Sequence, residues 1–105
     1  MSERYEVCPV DELPPGARRR IDAAGITVIV VNCDGDYLAI EDLCSHDGAP
    51  LDDGPIDCAA GTIECPRHGS LFDLRTGRPK TLPAYMPIET FDVEVDGSQL
   101  VVLVD

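Results

Sequence analysis

The sequence has no Lys or Arg between Arg20 and Arg67, no apolar run of 18 residues and few helix signals. With 8 Lys+Arg against 20 Asp+Glu the net charge is −12, which excludes nucleic acid as a partner because a phosphate backbone repels such a chain. The missing apolar run excludes a membrane-spanning helix, so no membrane partner is expected. The opening residues Met1-Ser2-Glu3-Arg4-Tyr5-Glu6 lack the basic start and apolar stretch of a secretory signal, and a cytoplasmic location is the expectation. Repeats and linkers are also missing. A length of 105 residues then suits a single domain over 1–105, and 44% hydrophobic with 27% charged residues excludes a mainly disordered chain. So small a domain buries a modest share of its surface and gains from a metal or other staple.

The stretch without cations carries ten acids: Asp22, Asp34, Asp36, Glu41, Asp42, Asp47, Asp52, Asp53, Asp57 and Glu64. They form either a solvated face that maintains solubility or a docking surface for a basic partner, and composition leaves both open.

What is present is β patterning. Ile26-Thr27-Val28-Ile29-Val30-Val31 is rich in β-branched residues, and Asp34-Gly35 leads from it into Tyr37-Leu38-Ala39-Ile40, which predicts a hairpin. Phe91, Val93 and Val95 alternate with Asp92, Glu94 and Asp96, and Asp96-Gly97 turns into Leu100–Val104, a second hairpin. Ala17 to Asp22 is a further candidate strand, near an edge. Val10-Asp11-Glu12-Leu13 reads as one helical turn, stopped by Pro14-Pro15-Gly16. From about Asp42 to Pro87 the chain is rich in Pro and Gly with only short strand-like pieces. A loop-rich stretch that long inside a compact domain is usually functional. An all-β antiparallel sandwich with an inserted, loop-built site is the simplest organisation.

Five cysteines is an odd number, and a reducing compartment disfavours a disulfide framework, so the thiols are expected to bind metal or sit buried. Cys44-Ser45-His46 is a C-x-H pair and Cys65-Pro66-Arg67-His68 a C-x-x-H pair, with 18 residues between them. They contain both histidines of the protein. Two thiolates and two imidazoles are able to hold tetrahedral zinc, but zinc sites usually pair Cys with Cys and His with His. Mixed pairs suit two irons side by side: Cys44 and Cys65 on one, His46 and His68 on the other, with two sulfides bridging. Two histidines in place of two thiolates on one iron is the Rieske form of a 2Fe-2S centre.

On these residues the sequence resembles the Rieske-type ferredoxins. Cys44-Ser45-His46-Asp47-Gly48-Ala49-Pro50-Leu51 and Cys65-Pro66-Arg67-His68-Gly69-Ser70-Leu71-Phe72-Asp73 are similar to the two Rieske boxes, and Thr76-Gly77 and Leu82-Pro83-Ala84 to the family's hairpin turn and proline loop. The resemblance covers nearly the whole chain. It implies a Rieske fold, an antiparallel β-sandwich base with a smaller cluster-binding subdomain over about residues 42–85. It also implies one 2Fe-2S cluster held by Cys44, His46, Cys65 and His68, with no catalytic residues. Gly48 and Gly69 follow the histidines closely; the family reading brings backbone N–H groups there toward the sulfurs, and it is favoured at Gly69.

Departures from the pattern are informative. Quinol-oxidising members carry a disulfide between the cluster loops, and the matching positions here are Ala49 and Arg67. Those members also bond a Ser and a Tyr hydroxyl to cluster sulfurs; this chain keeps Ser70 but has Phe72 at the Tyr position. Hydrogen bonds to sulfur stabilise the reduced cluster, so losing one, with high negative charge besides, predicts a low potential. The ligating histidines would lie near solvent as the electron exit, and a potential that falls at alkaline pH is expected from them.

A low-potential single-domain Rieske protein resembles the ferredoxin component of a ring-hydroxylating dioxygenase. The implied partners are a flavin-dependent ferredoxin reductase and a terminal oxygenase, for which this chain is a one-electron carrier, not an enzyme, and is expected to be monomeric. The alternatives are the small subunit of an assimilatory nitrite reductase, a ferredoxin for iron–sulfur assembly and, more remotely, a structural zinc protein. Cys8 and Cys33 are expected to be small buried hydrophobes, Cys58 to lie in an exposed loop, and Tyr85 and Met86 to be packing residues.

Overall fold

The computed structural model describes every residue except Met1, Ser2, His46, Asp47, Pro83, Tyr85 and Asp105. Among the described residues nine strands follow one another: β1 (Glu3–Pro9), β2 (Arg18–Ala23), β3 (Ile26–Cys33), β4 (Asp36–Glu41), β5 (Ile56–Asp57), β6 (Thr62–Glu64), β7 (Leu71–Asp73), β8 (Thr90–Asp96) and β9 (Gln99–Val104). One 3₁₀ turn, Val10–Glu12, stands where the helical turn was expected.

Six strands form one antiparallel sheet in the order β1-β9-β8-β4-β3-β2, and β5-β6-β7 form a second, small one. Both expected hairpins are present, β3–β4 with Val31 opposite Leu38 and β8–β9 with Val93 opposite Val102. The candidate strand after Ala17 is the edge strand β2. The large sheet is nearly two sheets, because β8 meets β4 through only Ala39↔Phe91 and Ile40↔Thr90. Its two halves face each other across a core of Cys8, Leu13, Ala23, Val28, Val30, Ala39, Leu100, Val102 and Val104.

Strand β3 explains how the second sheet attaches. Successive side chains of a strand point to opposite faces. Val28 and Val30 enter the base core, whereas Ile29, Val31 and Cys33 belong to another core with Ile40, Leu51, Ile63, Phe72, Leu74 and Ile88. That is why Val28 to Val31 is an unbroken apolar run: the strand is covered on both sides and all four residues are inaccessible. Cys44, Cys65, Ala49 and Ala84 share this second core. Burying a side chain the size of Leu51 or Phe72 there contributes about 1.5–3 kcal/mol. The Cys/His loops are thus mounted on a hydrophobic seat, not hung from the surface.

Cys33 and Cys58 are joined by a disulfide, with 5.2 Å between their Cα atoms. This corrects the expectation that Cys33 is simply a small buried hydrophobe and Cys58 a loop thiol. Cys33 is indeed buried, but the fold brings the end of β3 against the turn after β5 and pairs the two sulfurs.

Candidate metal centre

Two loops carry the candidate ligands, and they share one hydrogen-bonding frame. In the first, the Cys44 N–H donates to the Ala49 carbonyl at 2.7 Å and the Gly48 N–H to the Cys44 carbonyl at 2.7 Å. In the second, the Cys65 N–H donates to the Ser70 carbonyl at 2.8 Å and the Gly69 N–H to the Cys65 carbonyl at 2.9 Å. Each loop therefore closes on its own cysteine at the same two offsets. Gly48 (φ 78°) and Gly69 (φ 75°) make the left-handed turn that closure requires, a conformation open to glycine at little cost. Both glycine N–H groups thus donate to cysteine carbonyls.

The cysteines are inaccessible to solvent, whereas Pro66, Arg67, His68 and Gly69 are exposed. The structure thus brings Cys44 and Cys65 into one buried core and puts His68 on the outer side of its loop. His46, the fourth candidate, lies outside the described residues, as do Asp47 of the first box and Pro83 of the proline loop. Two buried cysteines and an exposed histidine are donor types that would suit a 2Fe-2S cluster of the Rieske form. The remaining thiol, Cys8, sits in the base core, where burial pushes its pKa up and keeps it protonated.

The two loops are anchored differently. The second is the tip of a hairpin: β6 and β7 pair Ile63↔Phe72 and Glu64↔Leu71 directly beneath it. The first has no such ladder. Its ends are clamped by Asp42, whose Oδ1 accepts the N–H groups of Leu51 at 2.6 Å and Asp52 at 3.0 Å. The Asp42 carboxylate is fully buried. Arg20 Nε stands 2.7 Å from Oδ2 as an ion pair, not an aligned hydrogen bond, since Oδ2 accepts none among the described residues. Arg18 extends the clamp by donating from Nη1 to the carbonyls of Asp52 and, at 2.7 Å, Gly54.

A third segment holds the two loops together. The Ser45 hydroxyl donates to the Met86 carbonyl at 2.5 Å, and the buried Ser70 Oγ accepts the Ala84 N–H at 3.1 Å. Each box thus contributes one serine to the segment around Ala84. Leu82 (79% accessible) and Met86 (54%) project from that segment, which corrects the expectation that Met86 packs inside. Tyr85 lies outside the described residues. Phe72 is buried with no hydroxyl to offer, so Ser70 alone of the expected hydroxyl pair stands at the second box.

Sequence reasoning missed Asp42, Arg18 and Arg20. Asp42 was counted among ten surface acids, yet it is buried, and Asp36 is paired with Arg75 at 2.9 Å. The acidic stretch is therefore not one uniform face. A carboxylate two residues before the first cysteine, with a basic edge strand elsewhere, was the available signal, but nothing local paired them. A surface hollow of about 430 Å³ lies against the small sheet and includes Glu64 and Leu71, which flank the second loop. Another of about 360 Å³ is lined by Ile26, Glu89, Thr90, Phe91, Asp92, Leu103 and Val104. No Cys or His lines either.

The comparisons with known proteins agree with this geometry. The Rieske [2Fe-2S] domain family matches residues 3–92. The 3-phenylpropionate/cinnamic acid dioxygenase ferredoxin subunit of Shigella boydii serotype 4 (strain Sb227) is 39% identical over 97 residues, covering 92% of this chain and 90% of that protein. Among solved structures, the ferredoxin of carbazole 1,9a-dioxygenase from Nocardioides aromaticivorans IC177 superposes with a TM-score of 0.89 at 40% identity, over 94% of this chain and 95% of that one. A ferredoxin-fold match at 34% identity and TM-score 0.87, over 94% and 91% of the two chains, comes from a complex of reduced oxygenase and oxidised ferredoxin in carbazole 1,9a-dioxygenase. With the family matched across most of its length and the two loops built alike around buried cysteines, the chain belongs to the Rieske [2Fe-2S] domain family.

Proposed function

We propose that this protein is the one-electron carrier of an aromatic-ring-hydroxylating dioxygenase system, taking electrons from a flavin-dependent ferredoxin reductase and handing them to a terminal oxygenase. It is the electron-transfer component, and the substrate chemistry belongs to the oxygenase. The observation that carries the reading is the matched pair of loops, with two buried cysteines and an exposed histidine on one hydrophobic seat. One Rieske domain over residues 1–105, with a cluster-binding part over about 42–85, is the organisation that goes with it. Cys44, His46, Cys65 and His68 are the residues assigned to hold the cluster, which when bound supplies a one-electron couple.

This chain's own residues do the rest. Cys44 and Cys65 hold their side of the site away from water. His68 presents its side to the surface, where a partner is able to approach closely. Leu82 and Met86 offer a small exposed apolar contact on the segment tied to both boxes, and the exposed acids that remain unpaired by cations steer a basic partner at long range. No helix among the described residues is long and apolar enough to cross a membrane. Action as a monomer in the cytoplasm fits a carrier that docks and leaves.

The test is an EPR spectrum after chemical reduction, followed by electron transfer to a ring-hydroxylating oxygenase. A Rieske signal, with an average g value below that of an all-cysteine cluster, and oxidation of the reduced protein by the oxygenase are expected. Reduction by the partner reductase is expected to slow as salt rises past about 0.1 M, where charges more than about 10 Å apart are screened. A colourless protein holding zinc and no labile sulfide would overturn the reading.

A further inference from the structure

The Cys33–Cys58 pair lies outside both cluster loops, and its placement gives it a task of its own. Cys33 ends β3, opposite Asp36 in the β3–β4 register. Cys58 opens the turn from Asp57 to Gly61, which joins β5 to β6 at the end of β6 remote from the second Cys/His loop. The large and small sheets share no β-ladder among the described residues. What holds them at this corner is the second core, the exposed Arg75–Asp36 ion pair at 2.9 Å and the disulfide. An exposed pair of that kind contributes little. Beside the apolar core, the bridge is therefore the covalent tie across the corner, closing a sequence separation of 25 residues that includes the whole first box. Cys33 is buried, whereas Cys58 is only partly so, which makes Cys58 the more accessible half of the pair.

The geometry points to Cys33–Cys58 as a second redox site, a two-electron thiol–disulfide couple that controls how firmly the cluster-bearing sheet is held to the base. Reduction by a dithiol proceeds by attack of its thiolate on the Cys58 sulfur. The Cys33–Cys58 bond breaks, Cys33 leaves as a thiolate and takes up a proton. The second thiol of the reductant then displaces Cys58, which is protonated in turn, and the reductant becomes a cyclic disulfide. In the reverse direction a low-molecular-weight disulfide accepts the two electrons and two protons and leaves as two thiols. With the bridge cut, the corner depends on apolar contacts and one surface ion pair, the small sheet opens more often, and the buried cysteines of the cluster loops meet solvent. The lifetime of the bound cluster then reports the thiol state of the surroundings. No part of the one-electron carrier function requires this couple.

The experiment uses the intact cluster-loaded protein, treated with either diamide or dithiothreitol and then freed of reagent. One portion is acid-quenched, alkylated and digested at Asp and Glu, because trypsin leaves Cys33, Cys44, Cys58 and Cys65 in one fragment. Another portion is mixed with an iron chelator and the loss of visible absorbance followed. A linked Cys33–Cys58 peptide is expected after diamide and not after dithiothreitol, with cluster loss several-fold slower in the linked form. Cys58→Ser, at a partly exposed position, is expected to lose its cluster at the faster rate after either treatment, and Cys58→Ala to behave the same way. No linked peptide after diamide, or equal rates of cluster loss in the two forms of the unaltered protein, would overturn the inference. Absorbance before treatment reports the cluster and peptide mapping reports the bridge, so failure of one is not mistaken for failure of the other.

Discussion

The two Cys/His loops close in the same way and are supported in opposite ways. Both bond the cysteine N–H to the carbonyl five residues on and the glycine N–H back to the cysteine carbonyl. Beneath the second, the support is backbone pairing between β6 and β7. Beneath the first, it is one buried carboxylate, Asp42, gathering two N–H groups at 2.6 and 3.0 Å. A ladder survives most side-chain changes, because its bonds belong to the main chain. A side-chain clamp rests on a single residue and on the ion pair that compensates its charge. Equal loops thus carry unequal vulnerability.

The largest contrast follows directly. Asp42→Ala leaves two N–H groups without their acceptor and Arg20 without its partner, and is expected to lower stability by about 3 kcal/mol, with loss of cluster on purification. Glu64→Ala, at the strand position that leads into the second loop, is expected to change stability by about 0.5 kcal/mol or less, since only a partly exposed side chain is removed. Urea unfolding with iron content measured alongside would settle it, and equal losses in the two variants would break the comparison.

Gly54 is where the two supports touch. A Cβ there would stand 1.8 Å from the Glu64 carbonyl oxygen, so the backbone after the first loop runs hard against the strand entering the second. Gly54→Ala is expected to cost about 2 kcal/mol through overpacking and to disturb both loops together. Spectra of that variant with an unperturbed cluster would show the loops to be independent.

The serines make a finer comparison. Ser70 Oγ is buried and its loss leaves the Ala84 N–H unsatisfied, whereas Ser45 is more exposed and water is able to replace it at the Met86 carbonyl. Ser70→Ala is expected to destabilise by about 1 kcal/mol and to lower the reduction potential, and Ser45→Ala to change stability by less than about 0.5 kcal/mol. Potentiometric titration of both variants checks this. A potential of the unaltered protein near roughly +300 mV would contradict the low value expected from Phe72 and the negative charge.

The smallest effect is a pH dependence. Burial pulls the Asp73 carboxyl upward, but the N–H groups of Arg75 and Thr76, with Lys80 nearby, outweigh it and hold the pKa below the usual carboxylate value. A pKa lower in the folded than in the unfolded chain gives stability that is present above about pH 4 and lost as pH falls through the folded value. Asp73→Asn is expected to flatten that part of the acid unfolding curve, measured by circular dichroism.

Much of the fold was legible along the chain. The two long hairpins follow from alternation and from Asp-Gly steps, and the one helical turn from its Pro-Pro-Gly stop. The short strands β5, β6 and β7 were not legible, because two or three residues give no period to read. Asp42 was indistinguishable from the surface acids around it, since burial depends on what packs above a residue. Met86 was misplaced for the converse reason: an apolar side chain beside a proline loop says nothing about whether anything covers it.

By itself the sequence marked out the candidate ligands, because Cys44-x-His46 and Cys65-x-x-His68 each set a thiol beside an imidazole within one short loop and so declare themselves locally. It also determined the β character, since alternation is a property of neighbouring residues. The tertiary structure alone decided that Cys33 meets Cys58, that Arg20 neutralises Asp42, and that two serines tie two loops to one segment. Each of those contacts joins residues far apart in the chain. Their distance is set by how apolar faces pack in three dimensions, and no local spacing encodes it.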